Sequence, residues 1–344
     1  MDDDPALDTL LLPLRTGSLT YPPTGALFLR ARDGRSLHEQ PLPGLMCEQT
    51  FKPDVDALRR AGFAVSAASP AQRYPLVMVL PPRQRDESRA LFARAMDHVT
   101  DGGRVLTAQH NNEGARSMEA DLAQLAGPLT TLSKNKCRVC WTAPLHGVAD
   151  TALAAQWSAL DAPRRIAEGR FLSRPGVFAW DRIDAASTLL AQHLPANLAG
   201  RAADLGAGFG YLSAELLTRC RGITALDVYE AESRALDLAR ENLGALGSSV
   251  NVGYHWHDVT QGLNGTYDVI VMNPPFHAGT HHDRPDIGRR FISVAAKCLR
   301  RGGQLWLVAN RHLPYETILD SSFGSTRIVT QQQGYKIVKA VKSG

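Results

Sequence analysis

Asp204-Leu-Gly-Ala-Gly-Phe-Gly210 stands between a short apolar run, Arg201–Leu205, and an amphipathic segment, Tyr211–Cys220, with Leu212, Leu216 and Leu217 on one face. That context makes it a strand-to-helix turn. Glycine lets the backbone turn tightly and come close to a ligand, and the amides of a helix start attract a phosphate or a carboxylate. Gly206, Gly208 and Gly210 are spaced G-x-G-x-G, which differs from the G-x-G-x-x-G of dinucleotide sites. Glu230 closes the next strand about 20 residues on, where a carboxylate accepts from ribose hydroxyls. Asp227 lies in the same strand, but the register of the following helix, with Ala235, Leu236, Ala239 and Asn242, puts Glu230 at the strand end. Asp258 ends the third strand, where it can accept from an adenine amine. Asp204, the three glycines, Glu230 and Asp258, in that order at strand ends, point to an adenosyl ligand.

Asn273-Pro-Pro-Phe276 follows the fourth strand, the edge at which open α/β sheets bind ligands. A nucleobase amine is a poor nucleophile because its lone pair is delocalised into the ring. The Asn273 side-chain oxygen and the Pro274 carbonyl can accept its two N–H bonds and aim the lone pair at an electrophilic methyl. Pro274 and Pro275 lack N–H groups and stiffen the loop, so these acceptors are preset. Phe276 offers a face for stacking a base, and His277 follows as a candidate substrate contact. No strong general base is required, because the amine nitrogen becomes acidic once methylated.

These residues need a sheet to hold them. From Arg201 onward strands and helices alternate: helices over Glu232–Leu243 and Ile287–Leu299, strands over Ile223–Tyr229, Val250–Tyr254, Tyr267–Met272 and Gln304–Ala309, and a closing antiparallel pair, Thr326–Thr330 and Tyr335–Val341. The pattern predicts a doubly wound, mainly parallel, seven-stranded Rossmann-like sheet. The first half repeats it more faintly. Tyr74–Pro82 resembles Tyr267–Pro275. In each half a helical segment follows, then a glycine pair (Gly102-Gly103, Gly302-Gly303) that opens the next strand. Such an echo signals a duplicated unit. Leu80 replaces the asparagine and Arg83 the phenylalanine, and the first half has no G-x-G-x-G, so that copy is expected to be inactive. The expected division is 1–150, a degenerate copy, and 151–344, the catalytic domain.

The 344 residues suit about two domains. Apolar runs are too short for a membrane span, and the acidic start, MDDDPALD, lacks the features of a signal peptide, so a cytoplasmic protein is expected. Residues 1–150 carry 17 basic and 17 acidic side chains, so the net +4 resides in the second half. Arg164, Arg165, Arg170 and Arg174, and Arg284, Arg289, Arg290, Arg300 and Arg301, suit a phosphate backbone but read first as solvated surface. Cys137 and Cys140 form a lone C-x-x-C whose strand spacing points them to opposite faces, so packing is expected rather than zinc. His277, His281, His282 and Asp283 read as a loop beside a substrate, with no metal. His255 and His257 share a strand face and read as packing. Phe178, Trp180 and Asp181 precede a helix over Arg182–His193 and could cover the ligand.

The glycine loop together with Asn273-Pro-Pro-Phe276 resembles the class I S-adenosylmethionine-dependent N-methyltransferases. Pro175-Gly-Val-Phe178, Asn273-Pro-Pro-Phe-His277, Val308-Ala-Asn310 and Leu313-Pro-Tyr315 narrow the resemblance to the ribosomal RNA small subunit methyltransferase C family, from about Arg164 to Lys342. The resemblance implies S-adenosylmethionine as cofactor and methylation of a guanine N2 amine in 16S rRNA, with ribosomal RNA or the small subunit as partner. It also implies a degenerate N-terminal copy of the catalytic domain. The chain departs from the family at Glu230, where Asp is commoner, and in its divergent first half. Asn310-Arg-His-Leu313 is similar to the large-subunit guanine-N2 enzymes as well. The remaining readings are an N-methyltransferase acting on DNA adenine or protein glutamine, and a non-enzymatic RNA-binding scaffold. The intact loop, Glu230 and Asn273 argue against the scaffold.

Overall fold

Apolar runs such as Tyr74-Pro-Leu-Val-Met-Val79 and Tyr267-Asp-Val-Ile-Val-Met272 have to be covered on both faces, the condition met by central strands of parallel sheets. The computed structural model describes residues 4–67, 71–148, 150–246, 250–275 and 285–344 and contains two such sheets. The first comprises β1 (Ala26–Leu29), β2 (Leu45–Glu48), β3 (Ala64–Ser66), β4 (Tyr74–Val79), β5 (Val99–His110), β6 (Leu129–Lys134) and β7 (Cys137–Thr142). Its order is β3-β2-β1-β4-β5-β7-β6, with β6, β7 and β5 antiparallel and the other pairs parallel.

A short antiparallel hairpin, β8 (Arg164–Ile166) and β9 (Phe171–Ser173), precedes the second sheet. That sheet comprises β10 (Ala199–Leu205), β11 (Gly222–Glu230), β12 (Asn251–Trp256), β13 (Tyr267–Met272), β14 (Leu299–Asn310), β15 (Ser325–Gln332) and β16 (Tyr335–Val341). Its order, β12-β11-β10-β13-β14-β16-β15, repeats the first sheet strand for strand, with the same antiparallel end. The expected doubly wound, seven-stranded fold and its N-terminal copy are both present.

Alternation along the strands builds two cores per sheet. In β13, Val269 and Val271 join one apolar cluster, while Tyr267, Ile270 and Met272 join the other. In β4, Leu76 and Met78 separate from Tyr74, Val77 and Val79 in the same way. Cys137 and Cys140 lie on opposite faces of β7, each buried in a different cluster. Among the described residues no group of three or more His, Cys, Asp or Glu is placed to hold a metal ion. No described helix is long and apolar enough to cross a membrane.

Two local readings are corrected. The glycine pairs do not open their strands. The preceding helices, Arg85–His98 and Pro285–Cys298, pass directly into β5 and β14, and the pairs lie inside those strands. Gly102 and Gly302 take left-handed backbone (φ +73° and +75°) where the register with β4 and β13 shifts, the use of glycine at a bulge. The second concerns the helix before β10, which spans Ala185–His193 and starts later than Arg182 because Asp184 caps it, accepting from the Ser187 amide at 2.8 Å.

The chain divides into two units, one up to Ala162 with Arg174–Gly176, the other Pro163–Ser173 with Val177–Gly344. The helix Thr151–Ser158 goes with the first, beyond the 150/151 division read from sequence, because its Trp157 is buried in the first unit's core.

Candidate active site

Parallel pairing brings four loops to one edge of the second sheet. Leu205 at the end of β10 pairs with Met272 at the end of β13 and with Tyr229 in β11; Glu230 pairs with Trp256 at the end of β12. The residues that follow, Gly206–Gly210, Glu230, Asp258 and Asn273, therefore leave the sheet side by side. A Cβ placed on Gly206 would meet Phe291 at 3.4 Å and Pro275 at 4.0 Å, so the glycine loop lies against the Asn-Pro-Pro turn.

The loop needs its glycines. Gly206, Gly208 and Gly210 all have left-handed backbone, with φ between +57° and +91°. The Gly206 and Ala207 amides donate to the Tyr229 carbonyl, and Gly210 N–H donates to Ala207 O. The Gly208 amide donates to Glu230 Oε2 at 2.7 Å, while Glu230 Oε1 accepts from the Glu232 amide at 2.8 Å. Glu230 thus holds the loop and the turn into the helix Ser233–Gly244. Burial raises its pKa, opposed by these two amides.

Asp227 is three residues earlier in β11 and has a different task. It accepts from Arg201 Nη2 at 2.6 Å and Tyr267 Oη at 2.9 Å, and bonds to His255 Nε2 at 3.0 Å. Burial alone would raise its pKa, but these partners outweigh it and hold the carboxyl below the ordinary range. His255 also stacks on Tyr229 at 4.5 Å, and His257 bonds the Gly262 carbonyl at 2.6 Å, so both histidines are tied into the framework.

Asp204 is fully buried at the end of β10. Oδ2 accepts from the Ser213 hydroxyl at 2.7 Å, but Oδ1 is buried and has no partner among the described residues. Burial pushes its pKa up to about 7, with the Glu230 charge adding to the rise and Ser213 opposing it. Asp258 caps the short turn Val259–Gln261: Oδ1 accepts from the Thr260 amide and hydroxyl at 2.9 and 2.7 Å, leaving Oδ2 with a long 3.3 Å bond from Gln261.

Asn273 is half-buried, Pro274 buried and Pro275 exposed. Asn273 Nδ2 donates to Asp184 Oδ2 at 3.0 Å and to Ser187 Oγ at 2.9 Å. Both amide hydrogens are engaged, which leaves Oδ1 as an acceptor. Phe276 and His277, with His281, His282, Asp283 and Arg284, lie outside the described residues. Sequence reasoning missed Asp184 and Ser187. The signal in the sequence is Asp184-Ala-Ala-Ser187 before an apolar helix, a capping pattern that marks the helix start at Asp184 rather than Arg182. Trp180 packs on the core and carries Arg164 at 5.3 Å, whereas Phe178 is 61 % exposed. Arg170 and Arg300 are paired with Glu215 and Asp268.

Leu313-Pro-Tyr315 is structural. Tyr315 is fully buried against Gly288 of the helix Pro285–Cys298, and the buried Lys336 donates to the Leu313 carbonyl at 2.7 Å and Glu316 Oε1 at 2.6 Å.

The corresponding edge of the first sheet is built differently. Leu80, buried in the core, follows β4 where Asn273 follows β13. Gln49 follows β2; its Oε1 accepts from the Thr50 and Phe51 amides and its Nε2 donates to the Ala31 carbonyl. A neutral amide closed on its own loop occupies the place of the carboxylate.

The ribosomal RNA small subunit methyltransferase C of Shewanella baltica (strain OS195) is 29% identical over 269 residues, 77% of this chain and 76% of that one. The enzyme of the same name from Salmonella newport (strain SL254) is 29% identical over 260 residues, 76% and 73% of the two chains. The solved structure of the T. thermophilus 16S rRNA N2 G1207 methyltransferase, in complex with AdoMet and guanosine, is 26% identical, with a TM-score of 0.81 over 98% of this chain and 92% of that one. A match to the family described as the methyltransferase small domain runs from the turn of the β8–β9 hairpin into β16, residues 168–339. Half of the sequence lies within that match, and the chain belongs to the methyltransferase small domain family.

Proposed function

We propose that this chain transfers a methyl group from S-adenosylmethionine to the exocyclic N2 amine of a guanine in 16S rRNA. The observation that carries the reading is Asn273: its amide hydrogens are both held by Asp184 and Ser187, so its oxygen, which has no hydrogen-bond partner among the described residues, is an acceptor on the edge that also carries the glycine loop and Glu230. The names of the similar proteins support guanine N2 in 16S rRNA as the acceptor.

The residues fit the cofactor. Asp204 Oδ1, buried and unpartnered, suits the ammonium of its amino-acid part beside Gly206, Gly208 and Gly210. Glu230 keeps two of about four carboxylate acceptor positions after its two amide bonds, enough for both hydroxyls of a ribose. Asp258 Oδ2 is available to an adenine amine. When bound, S-adenosylmethionine supplies an electrophilic methyl.

Asn273 Oδ1 and the Pro274 carbonyl accept the two N–H bonds of the guanine amine, turning its lone pair toward that methyl. With the cofactor held there, nitrogen would gain the methyl carbon as the carbon–sulfur bond breaks, the electron pair staying on sulfur to leave S-adenosylhomocysteine, and would lose a proton to solvent. The proline pair fixes both acceptors before the base arrives, so the chain does not reorganise in the transition state. Phe276 and His277 follow in sequence, and we assign them base stacking and RNA contact. The target base has to leave its stack to present the amine. We place the protein in the cytoplasm with the ribosomal RNA, and take the first unit as a copy that neither binds cofactor nor catalyses, given Leu80 and Gln49.

Asn273→Ala tests the reading. Loss of a preorganised acceptor lowers single-turnover methylation of 16S rRNA by roughly 10²–10³-fold with cofactor affinity nearly intact. A near-normal rate would refute the mechanism, and lost cofactor binding would make Asn273 a cofactor residue.

A further inference from the structure

A primary amide has two ends of similar size, and an unrestrained asparagine samples both orientations. Only one of them serves an amine acceptor: with Nδ2 in front, Asn273 would confront guanine N–H bonds with N–H bonds of its own. We infer that Asp184, assisted by Ser187, is the positioning residue that sets this orientation and thereby makes the site an acceptor for amines. The inference rests on the catalytic role proposed for Asn273.

The geometry is specific. Asp184 Oδ2 lies 3.0 Å from Asn273 Nδ2, and a carboxylate only accepts, so the nitrogen has to face it. Reversal would bring Asn273 Oδ1 against the carboxylate, oxygen to oxygen, at hydrogen-bonding distance. Ser187 Oγ at 2.9 Å takes the second Nδ2 hydrogen. The same Oδ2 accepts from the Ser187 amide at 2.8 Å, so the carboxylate is itself locked by the start of the helix Ala185–His193. Two elements meet here, the turn after β13 and the first turn of that helix, and the carboxylate that caps one aims the other. At the equivalent place in the first sheet Leu80 has no amide to aim.

Capping and positioning separate by substitution. Serine caps a helix about as well as aspartate but is one atom shorter, so Asp184→Ser keeps the cap and withdraws the acceptor from Asn273. Asparagine keeps both the cap and a neutral acceptor. The account expects Asp184→Ser to lower kcat on 16S rRNA by roughly 10- to 100-fold, since one charge-assisted hydrogen bond is at stake. KM for RNA and the calorimetric Kd for S-adenosylmethionine stay within about twofold, and Asp184→Asn recovers most of the rate. In the Asn273→Ala background Asp184→Ser causes no further loss, because no amide remains to orient. Nuclear magnetic resonance supplies a readout independent of turnover. The side-chain amide pair that disappears in Asn273→Ala is shifted and slowly exchanging in the parent and loses both properties in Asp184→Ser.

Equal factors for Asp184→Ser in the parent and in Asn273→Ala would show a purely structural role and overturn the inference. So would a parent-like kcat for Asp184→Ser while Asn273→Ala is inactive, an outcome that leaves the proposed function standing. A parent-like kcat for Asn273→Ala itself would remove the role proposed for Asn273, and this inference with it, while the methylation of 16S rRNA stands.

Discussion

Glu230→Ala separates the cofactor reading from a merely structural one. The Glu230 carboxylate accepts from the Gly208 and Glu232 amides at 2.7 and 2.8 Å, which leaves about two acceptor positions for the two ribose hydroxyls. Truncation removes the ribose acceptors and frees the Gly208 amide. A hydrogen bond to a charged group contributes about 1.5–3 kcal/mol, and water in the vacated space offsets part of a second. At about 1.4 kcal/mol per tenfold, S-adenosylmethionine affinity falls roughly 10- to 150-fold. Asp227→Asn is the control: its partners are Arg201, His255 and Tyr267, so it destabilises the fold by about 1–3 kcal/mol and shifts the Kd less than about twofold. Titration calorimetry measures both constants, and urea unfolding the stabilities. Unchanged affinity in Glu230→Ala, or a large loss in Asp227→Asn, would refute the division of labour along β11.

Asp204, with its pKa pushed up to about 7, makes ligand-free stability fall as pH rises from about 4 to 7, because the folded state holds a proton that the unfolded chain has released. The same titration makes S-adenosylmethionine bind more tightly as pH rises toward 7, where the ammonium meets a charged carboxylate; Asp204→Asn flattens both curves, measured by thermal unfolding and calorimetry. Gly288→Ala puts a Cβ 1.8 Å from the Tyr315 hydroxyl of a fully buried ring and costs about 1–3 kcal/mol in urea unfolding; a stable variant would show that the contact yields easily. Calorimetry of the full chain gives one cofactor per chain, and a second site would contradict the inactivity proposed for the first sheet.

The strand edge was legible because apolar residues lead up to Leu205, Glu230 and Asn273. The run Tyr267–Met272 locates Asn273, and the strand ending at Glu230 separates it from Asp227 by register alone. The duplication was legible from Tyr74–Pro82 because buried parallel strands keep their pattern after the site chemistry has gone. The glycine pairs misled: a helix and a strand that adjoin without a loop offer no breaker, so Gly102 and Gly302 were read as the boundary although they form bulges. The capping pattern at Asp184 and Ser187 is local, but their task toward Asn273 arises from the turn after β13, about 90 residues away in the chain, and no local pattern records a long-range hydrogen bond. Trp157 moved the domain division for the same reason, since burial belongs to the assembled core.

The most direct test gives the full chain methyl-labelled S-adenosylmethionine and, separately, small subunits, large subunits, naked 16S rRNA, DNA and protein extract, followed by nuclease digestion and mass spectrometry of the labelled product. The account predicts label in 16S rRNA as N2-methylguanosine, from the subunit or the free RNA, accumulating roughly 10²–10³-fold more slowly with Asn273→Ala. Label in large-subunit RNA, adenine or glutamine would keep the chemistry and contradict the acceptor. No transfer to any of them would contradict the central claim.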